Sequence, residues 1–445
     1  MKLKVVMISH NQLELIQKGI KALQLFGGVT DQDIIIVDNA SEDGLAQWLS
    51  EQGKWNYLVC DEGIENYATI MNTVIREFEI QEDVFILTPY YVVLPGMLQE
   101  LYEVLHSDAK IGAVFPTLIA NGGECAVDYA EALAYAAAQQ DKRKRNRQLL
   151  AAHIDAVLLK AEMLCKVGMF DERLARASSG ILDFLLRGGL QGYRYIECAN
   201  AYIFGIDEWK INERWSTPED QPALKEKWGM NYFNVIPNEN LLDFIKADEQ
   251  EPIQVLEIGC DIGANLLEVK NRYPNAGIYG VEIVPQAARI ASCVADVQVA
   301  NIEEDEVSFH GVKFDYIVCG DVLEHLRDPE GLVRRCRDLL KEGGGIVASI
   351  PNIMHYSVMR QLLDGNFSYR DAGLLDRTHI HFFTYKEIVR MFGRADYVIE
   401  SVKTTEERGT TENDHALVEQ LMELSRGVEK EMFYAFQYLV LARKK

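Results

Sequence analysis

The chain has 445 residues, 48% of them hydrophobic and 25% charged, a balance typical of soluble globular protein with two or three domains. The net charge is −23 and both halves are acidic, which argues against nucleic acid and anionic membranes as partners. No uncharged apolar run reaches the roughly 20 residues of a transmembrane segment, and the eight cysteines form no Cys-x-x-Cys pair, so we expect a cytoplasmic protein with reduced thiols.

Predicted strands and helices alternate along the first half of the chain, and this alternation predicts an α/β fold with a parallel sheet. Residues 128–153 are predicted to be helical, and residues 206–250 lack a clear period. We therefore predict two domains, residues 1–235 and 236–445. The predicted strands are Lys4–Ser9, Asp33–Asp38, Tyr57–Cys60, Val84–Thr88 and Ile111–Pro116, and the predicted helices are Leu13–Phe26, Gly44–Gln52, Tyr67–Phe78 and Met97–His106.

Several segments of the first half resemble segments of the same known family. They are Val5–Asn11, Ile36–Gly44, Asn66–Asn72, Ala156–Arg173 and Asp183–Arg194. Together they resemble the family-2 glycosyltransferases, which have a GT-A fold and bind a nucleotide sugar. The resemblance implies that Asp38 accepts a hydrogen bond from a uracil-type base. The nucleotide-sugar-binding residues that it implies are His10, Asn11, Asp38, Asn66, Asp183 and Arg187.

The first half differs from that family at the metal-binding motif and at the position of the general base. The family's metal-binding Asp-x-Asp is replaced by Leu87–Pro95, which contains no carboxylate, so a divalent metal such as Mn²⁺ or Mg²⁺ is doubtful here. The position of the general base is Ile181, next to Gly180, and neither accepts a proton. One interpretation is an inactive transferase that binds a nucleotide, a glycan or a partner protein. The other is a metal-independent transferase that uses Lys or Arg in place of the metal. The basic run Lys142–Arg147 either clamps phosphates or is a solvated surface.

The second half repeats the α/β pattern, with predicted strands at 253–258, 278–283, 315–319 and 345–350. Phe436–Ala442 is predicted to be the last strand, at the edge of the sheet, and residues 403–415 are predicted to form an exposed polar loop.

A glycine-bearing turn follows the first of these strands. In the segment Val255–Gly263, the glycines Gly259 and Gly263 let the backbone pass close to a ligand. About 20 residues later, Glu282 ends the next strand, where an acid can bind ribose hydroxyls. Asp261 occupies the middle glycine position of the dinucleotide pattern. The turn therefore predicts an adenosine cofactor without a pyrophosphate.

Three further segments follow in order: Phe314–Leu326, Leu340–Asn352 and Leu374–Thr384. With the glycine turn, they resemble the bacterial S-adenosylmethionine-dependent methyltransferases of the Rossmann-like class, which have a seven-stranded sheet. The resemblance implies S-adenosylmethionine as the cofactor. The cofactor-binding residues are then Glu257, Gly259, Asp261 and Gly263 at the amino-acid end, Glu282 at the ribose, Asn301 and Ile302 at the adenine, and Gly320 and Asp321 beside the sulfonium.

Three histidines are candidate catalytic residues. An unperturbed imidazole titrates near neutral pH, so His325 is the first candidate for the base that deprotonates the acceptor, although it can equally order its loop. His379 and His381 are the alternatives, and strand-like alternation places both on one face. A His-x-His pair also occurs in metal sites, but no third ligand is evident, so we predict no metal site. His355, Tyr356 and Tyr369 either line the acceptor pocket or pack in the core.

These features predict a glycosyltransferase-like domain fused to a methyltransferase domain. The association suggests a glycan, a nucleotide sugar or a glycosylated surface component as the acceptor. Two alternatives stay open: a bifunctional enzyme that transfers and methylates a sugar, and a non-catalytic assembly subunit for glycan-building enzymes.

Overall fold

The computed structural model describes residues 1–119, 133–134, 137–138, 144–151, 156–205, 219–230, 232–406 and 409–445. It divides into two compact units, Met1–Val235 and Ile236–Lys445. Each unit has a central β-sheet with associated helices, which confirms the predicted α/β fold class. Among the described residues, no helix combines the length and the apolar character needed to cross a bilayer.

The first unit is built around a mixed nine-stranded sheet. Its strands are β1 (Leu3–Ser9), β2 (Ile34–Asn39), β3 (Asn56–Cys60), β4 (Asp83–Leu87), β5 (Tyr91–Val93), β6 (Ile111–Ile119), β7 (Arg147–Leu149), β8 (Ala156–Leu159) and β9 (Arg194–Gly205). Its helices are α1 (Leu13–Ala22), α2 (Leu45–Gln52), α3 (Tyr67–Glu77), α4 (Met97–Ser107), α5 (Ala161–Val167), α6 (Ala177–Gly189) and α7 (Gln221–Trp228).

The strand order is β3-β2-β1-β4-β8-β6-β9-β5, with β7 paired to β9. Strands β3, β2, β1 and β4 are parallel, as the strand–helix alternation predicts. The predicted parallel arrangement is found in these four strands, and the sheet as a whole is mixed, because β8 runs antiparallel to β4 and β6, and β5 runs antiparallel to β9. Residues 88–90 join β4 to β5, which lies at the far edge of the sheet and pairs with β9. The helix predicted over 128–153 is wrong where β7 is a strand, and much of that segment lies outside the described residues.

The second unit has a seven-stranded sheet. Its strands are β10 (Gln254–Ile258), β11 (Gly277–Glu282), β12 (Asp296–Val299), β13 (Phe314–Gly320), β14 (Leu340–Pro351), β15 (Tyr397–Glu406) and β16 (Ala435–Lys444). Its helices are α8 (Glu239–Leu242), α9 (Ala264–Arg272), α10 (Pro285–Ala291), α11 (Pro329–Leu339), α12 (Tyr356–Leu363), α13 (Tyr385–Arg394), α14 (Glu412–Leu424) and α15 (Glu431–Tyr434).

The order of the second sheet is β12-β11-β10-β13-β14-β16-β15. Strand β16 contains Phe436–Ala442 and runs antiparallel between β14 and β15. The prediction that this segment forms the edge is therefore wrong, and the edge strand is β15. The loop predicted over 403–415 is wrong at both ends: residues 403–406 continue β15, and residues 412–415 begin α14. Residues 400–404 of this edge strand are exposed, so a polar sequence is compatible with it.

The parallel register of the second sheet positions the site. Strands β10, β11, β12 and β13 run parallel, with Ile258 of β10 opposite Val281 of β11 and Cys319 of β13. The loops that follow these strands therefore meet at one edge, where ligands of open α/β sheets bind. Apolar side chains on the strands and flanking helices form the core beside this sheet, including Leu256, Ile258, Ile317 and Phe392, which are almost wholly buried.

Candidate functional site

The turn after β10 has the backbone that the sequence predicts. Gly259 and Gly263 have φ values of +73° and +92°, and Asp261, at +47°, is also left-handed. A Cβ on Gly259 would lie 2.8 Å from Cγ2 of Val322, in the loop after β13. The glycine thus permits the close approach of two loops, and Gly263 begins α9 with its backbone N–H groups directed toward the turn.

Glu282 fixes the turn from the neighbouring strand. Its carboxylate accepts hydrogen bonds from the backbone N–H of Asp261 and of Val284, each at 2.8 Å, and the residue is 7% exposed. A carboxylate has about four acceptor positions. Glu282 therefore holds the turn in shape and keeps capacity for two ribose hydroxyls.

Only one carboxylate oxygen of Glu257, at the carboxyl end of β10, has a hydrogen-bond partner among the described residues. Its Oε1 accepts a hydrogen bond from Nδ2 of Asn265 at 2.7 Å, whereas Oε2 has no partner among the described residues. Burial raises the pKa of Glu257 to about 8. The hydrogen bond from Asn265 lowers this pKa, and the nearby charges of Asp261 and Glu282 raise it further. A buried acceptor beside a glycine turn fits a cation, such as the ammonium group of S-adenosylmethionine.

Asn301 and Ile302 follow β12, at the same edge of the sheet. The loop is ordered locally, because Asn301 N–H donates to Asp305 and the Asn301 side-chain oxygen accepts from Glu303 N–H. The backbone N–H of Ala300 donates to the carbonyl of Glu282 at 3.1 Å. The residues predicted for the adenine and the ribose therefore lie on adjoining strand ends.

Gly320 ends β13 and Asp321 follows it, with a left-handed φ of +53°. Ser349 Oγ, on β14, donates to Asp321 Oδ1 at 2.9 Å and accepts from the Asp321 N–H. Gln437, on β16, donates to the same oxygen at 2.7 Å. Neither orienting residue was identified from the sequence, because both come from distant strands.

The structure brings His325 and His379 together, with ring centroids 4.8 Å apart. His325 is exposed, whereas His379 is 8% exposed. Glu324 lies close to both and is 1% exposed, and its Oε1 is 4.0 Å from Nε2 of His379. Burial raises the pKa of Glu324 to about 8, and the charge of Asp321 adds to the rise. Glu324 was missed from the sequence, where its only signal is an acid directly before a histidine.

His381 does not share this position. Residues 377–382 form a turn and a loop outside any strand, so the predicted strand alternation of His379 and His381 is wrong. Nε2 of His381 lies 3.2 Å from the carbonyl oxygen of Arg327. The backbone N–H groups of Ile380 and His381 both donate to the carbonyl of Glu324 at 3.0 Å, which ties the two loops together.

An open cleft of about 520 Å³ adjoins His379. Its lining includes Tyr369, predicted for the acceptor pocket, and Phe382. His355 and Tyr356 are instead buried, at 0% and 6% exposure. The Nδ1 atom of His355 accepts from Ser357 N–H at the start of α12, and Tyr356 packs in a small hydrophobic cluster with α14. These two residues therefore support the loop and do not line this cleft.

In the first unit, His10, Asn11 and Asp38 lie at the adjoining ends of β1 and β2. Nδ1 of His10 is 2.7 Å from the Asn39 carbonyl oxygen, and the Asn11 side chain accepts from Glu42 N–H at 2.7 Å. Asp38 is 1% exposed and accepts from the N–H of Ser41 at 2.9 Å. These residues shape the β2 loop, the predicted position of the nucleotide base.

Asp183 is the buried centre of a network that includes Arg187. Asp183, on α6, is fully buried and contacts Nζ of Lys227 at 2.7 Å, Nε of Arg187 at 2.8 Å and the indole N–H of Trp228 at 3.0 Å. Arg187 also donates to two backbone carbonyls. Asn66 caps α3 through Thr69 N–H and donates to the carbonyl of Glu172. Within the described residues, these three side chains are engaged in structural contacts.

Most residues of the segment Leu87–Pro95 are buried, whereas Tyr90 is half-buried and Pro95 is exposed. Tyr91 belongs to β5 and is 2% exposed, and the Tyr90 hydroxyl accepts from Gln12. Ile181 is fully buried in α6. In the described part of the chain, the group of metal-ligating side chains that lies close enough to share an ion is Glu324, His325 and His379, in the second unit.

Comparison with known proteins finds similarity to methyltransferases in the second unit. Residues 234–402 match the family model described as "Methyltransferase domain". Two similar proteins are the ubiquinone biosynthesis O-methyltransferases of Albidiferax ferrireducens, 32% identical over 106 residues, and of Xanthomonas campestris pv. campestris, 30% identical over 119 residues. These alignments cover 22% and 25% of this chain, and 41% and 48% of the relatives, so the chain spans less than half of their length.

The family-model match agrees with the methyltransferase domain predicted for the second unit. Among solved structures, a methyltransferase from Archaeoglobus fulgidus aligns with 50% of this chain and 98% of its own, at 18% identity and a TM-score of 0.34. GalNAc-T7 with UDP, GalNAc and Mn²⁺ aligns with 51% of this chain and 48% of its own, at 12% identity and a TM-score of 0.41. Both TM-scores are too low to establish a shared fold.

Proposed function

We propose that the chain is an S-adenosylmethionine-dependent methyltransferase that acts on a hydroxyl or amine of a glycan, a nucleotide sugar or a glycosylated surface component. The observation that carries the methyltransferase proposal is the set of acids around the glycine turn. Glu257 keeps a buried oxygen without a partner among the described residues, and Glu282 lies one strand away. This pairing suits a ligand with an ammonium group at one end and a ribose at the other.

S-adenosylmethionine supplies an electrophilic methyl group on a sulfonium. In the proposed arrangement, Glu257 and Asp261 hold its ammonium, and Glu282 holds its ribose. Asn301 and Ile302 contact the adenine, and Gly320 and Asp321 leave space beside the sulfonium. Because the loops are fixed by hydrogen bonds between strand ends, the cofactor would be held in one orientation, and alignment provides most of the acceleration in such a transfer.

The acceptor side is proposed to be the cleft beside His379. Tyr369 and Phe382 offer aromatic faces on which a sugar ring can stack. His325 is exposed and its ring contacts that of His379, which lines the cleft, so His325 is the proposed base.

A phenolic acceptor is the second candidate. The aromatic lining of the cleft suits a phenol ring as well as a sugar face. The similar proteins named ubiquinone biosynthesis O-methyltransferase support the same alternative.

The first unit is proposed to be a glycosyltransferase-like module that binds a nucleotide sugar or the acceptor. Its resemblance to family-2 glycosyltransferases supports this proposal, and the absence of a carboxylate in Leu87–Pro95 favours binding over transfer. A bifunctional enzyme would release the nucleotide as it transfers the sugar. A non-catalytic assembly subunit would bind S-adenosylmethionine weakly and transfer no methyl group.

The first experiment is calorimetric titration of the full-length protein with S-adenosylmethionine, for the wild type and for Glu282→Gln. Loss of a hydrogen bond from a charged acceptor costs about 1.5–3 kcal/mol, so the variant should bind about 10- to 100-fold more weakly. Glu304→Gln is the control, because Glu304 is exposed on the loop after β12. Equal affinity for all three proteins would contradict the ribose assignment.

The second experiment incubates the protein with labelled S-adenosylmethionine, nucleotide sugars, glycans and a catechol, and follows label transfer and nucleotide release together. Label on a sugar supports the first proposal, and label on the catechol alone supports the second. Nucleotide release would establish transferase activity in the first unit. Failure to bind S-adenosylmethionine would refute the methyltransferase proposal.

A further inference from the structure

Glu324 is a buried acid that the proposed reaction leaves without a role. It is 1% exposed, and neither carboxylate oxygen has a hydrogen-bond partner among the described residues. A buried carboxylate is costly unless a cation or several donors compensate its charge. Its surroundings contribute further negative charge from Asp321 and Asp376. The position is therefore suited to a positive ion.

Two histidines complete the group. The ligating atoms of Glu324, His325 and His379 all lie within 4.8 Å of one another. Nδ1 of His379 lies 3.2 Å from the carbonyl oxygen of Leu374, and Nδ1 of His325 lies 3.2 Å from that of Thr378. An N–H at each Nδ1 would donate to these carbonyls. Each Nε2 would then carry the lone pair that a metal needs.

The surrounding hydrogen bonds resemble those that orient metal ligands elsewhere. Metal-ligating histidines usually donate their second ring N–H to a carbonyl or carboxylate, which fixes the tautomer. Thr378, whose carbonyl faces His325, is itself held by Asp376, which accepts from its N–H at 2.7 Å and from its hydroxyl at 2.6 Å. The loop that carries His379 is bonded to the Glu324 carbonyl.

We propose that Glu324, His325 and His379 form a site for a divalent transition-metal cation, with Zn²⁺ as the preferred ion. Two imidazole nitrogens and one carboxylate oxygen suit Zn²⁺, and three protein ligands leave positions open for water or substrate. Ligand atoms around tetrahedral Zn²⁺ lie about 3.3 Å apart at the usual bond lengths. The present separations of up to 4.8 Å therefore require ligand atoms to approach one another by up to about 1.5 Å when the ion binds.

The role of the ion follows from its place beside the acceptor cleft, and this part rests on the proposed function. His379 belongs both to the site and to the cleft lining, so an acceptor hydroxyl in the cleft can take an open metal position. The metal lowers the pKa of that hydroxyl, whose proton passes to water. The oxygen then attacks the sulfonium methyl carbon; its new C–O bond forms as the S–CH₃ bond breaks, and S-adenosylhomocysteine leaves. His325 and His379 are then ligands, and neither serves as the base.

The test uses full-length protein that has been stripped with a chelator and dialysed. Calorimetric titration with Zn²⁺ and visible absorption with Co²⁺ report binding without any need for activity. The variants are Glu324→Gln, His325→Gln and His379→Gln. The control is His415→Gln, an exposed histidine that contacts Tyr434 in another part of the same unit. Because His325 is exposed, its variant should fold even if a buried substitution does not.

We expect one ion per chain in the wild type and in His415→Gln, with affinity at least about 100-fold lower in each ligand variant. A Co²⁺ spectrum with imidazole and carboxylate ligation should disappear with the same variants. Absence of stoichiometric binding, or retention of full affinity in His325→Gln, would overturn the site.

A methyl-transfer assay distinguishes failure of the metal proposal from failure of the methyltransferase proposal. Chelation should abolish transfer to the acceptor and leave affinity for S-adenosylmethionine unchanged, and Zn²⁺ should restore transfer. If the protein binds the ion but not S-adenosylmethionine, the methyltransferase proposal fails and the metal site stands. If transfer is unchanged after complete removal of the bound ion, the proposed role of the metal is wrong.

Discussion

Glu257 links the stability of the second unit to the binding of its cofactor. The carboxyl is buried, and Oε2 lacks a partner among the residues that the structure describes. Burial raises its pKa from 4.5 to about 8. At neutral pH the folded protein therefore keeps a proton on Glu257 that the unfolded chain releases.

The sign of the pH dependence follows from this difference. Between pH 4.5 and 8, the folded state binds more protons at Glu257 than the unfolded state, so its contribution to stability falls as pH rises. At about 1.4 kcal/mol per pKa unit, the loss between pH 4.5 and 7 is about 3 kcal/mol. Glu257→Gln cannot ionise and should remove this slope. The difference in unfolding free energy between wild type and variant should change by about 3 kcal/mol over that interval.

The assay is urea unfolding of the cofactor-free protein at several pH values. Brief alkylation of Cys260 and Cys319, two buried thiols of the second unit, followed by mass spectrometry reports unfolding of that unit. Glu268→Gln is the matched control. Glu268 is also buried but accepts from Nε of Arg272 at 2.8 Å, so its variant should destabilise the unit at pH 7. A difference between wild type and Glu257→Gln that stays constant with pH would refute the reasoning.

Cofactor binding should show the complementary effect. If Glu257 holds the ammonium of S-adenosylmethionine, binding requires the ionised carboxylate and releases its proton. Affinity should then rise by up to about tenfold per pH unit as pH approaches 8. Calorimetry in buffers of different ionisation enthalpy measures the released proton directly. Glu257→Gln should bind more weakly and release none.

Three further outcomes are expected. Gly259→Ala should destabilise the second unit by about 1–2 kcal/mol, because alanine disfavours the left-handed backbone at this position. A clash with Val322 should add to this cost and weaken cofactor binding. In urea unfolding, the control Gly311→Ala should show the backbone effect alone, because Gly311 has a φ of +81° and open space around it. Asp183→Asn should destabilise the first unit by about 1.5–3 kcal/mol because Lys227 and Arg187 both lose a charged hydrogen-bond partner, while Lys227 keeps its ion pair with Asp171. Unchanged thermal unfolding would contradict a structural role. Binding of a uridine diphosphate by the first unit should be equally tight with and without a chelator in calorimetric titration, because Leu87–Pro95 offers no carboxylate to a metal.

The sequence was informative where local pattern decides structure. The strands around the glycine turn are short apolar runs followed by turn residues, and a left-handed backbone at Gly259 and Gly263 is what glycine permits. Because parallel strands end at a common edge, the predicted cofactor residues could be placed together without knowledge of any side-chain contact.

Distant contacts escaped prediction. The position of β16 between β14 and β15 depends on pairing with chain segments far apart in sequence, so a final strand looked like an edge strand. The alternation of His379 and His381 assumed a strand, but the segment is a loop whose direction is fixed by the carbonyl of Glu324. The antiparallel direction of β8 could not be predicted, because a run of four apolar residues is compatible with either strand direction.

The buried acids of the two units differ in a way that bears on function. In the first unit, Asp183 is compensated by Lys227, Arg187 and Trp228, so its charge is fully used within the fold. In the second unit, Glu257 and Glu324 are buried, yet oxygens of both lack partners in the described part of the chain. Such acids reduce stability unless a ligand compensates them. The second unit therefore keeps buried carboxyl groups with unpaired oxygens at the strand ends where a cofactor and a cation would bind. In the first unit, the acid that resembles a transferase residue holds helices together. This contrast favours chemistry in the second unit and recognition in the first.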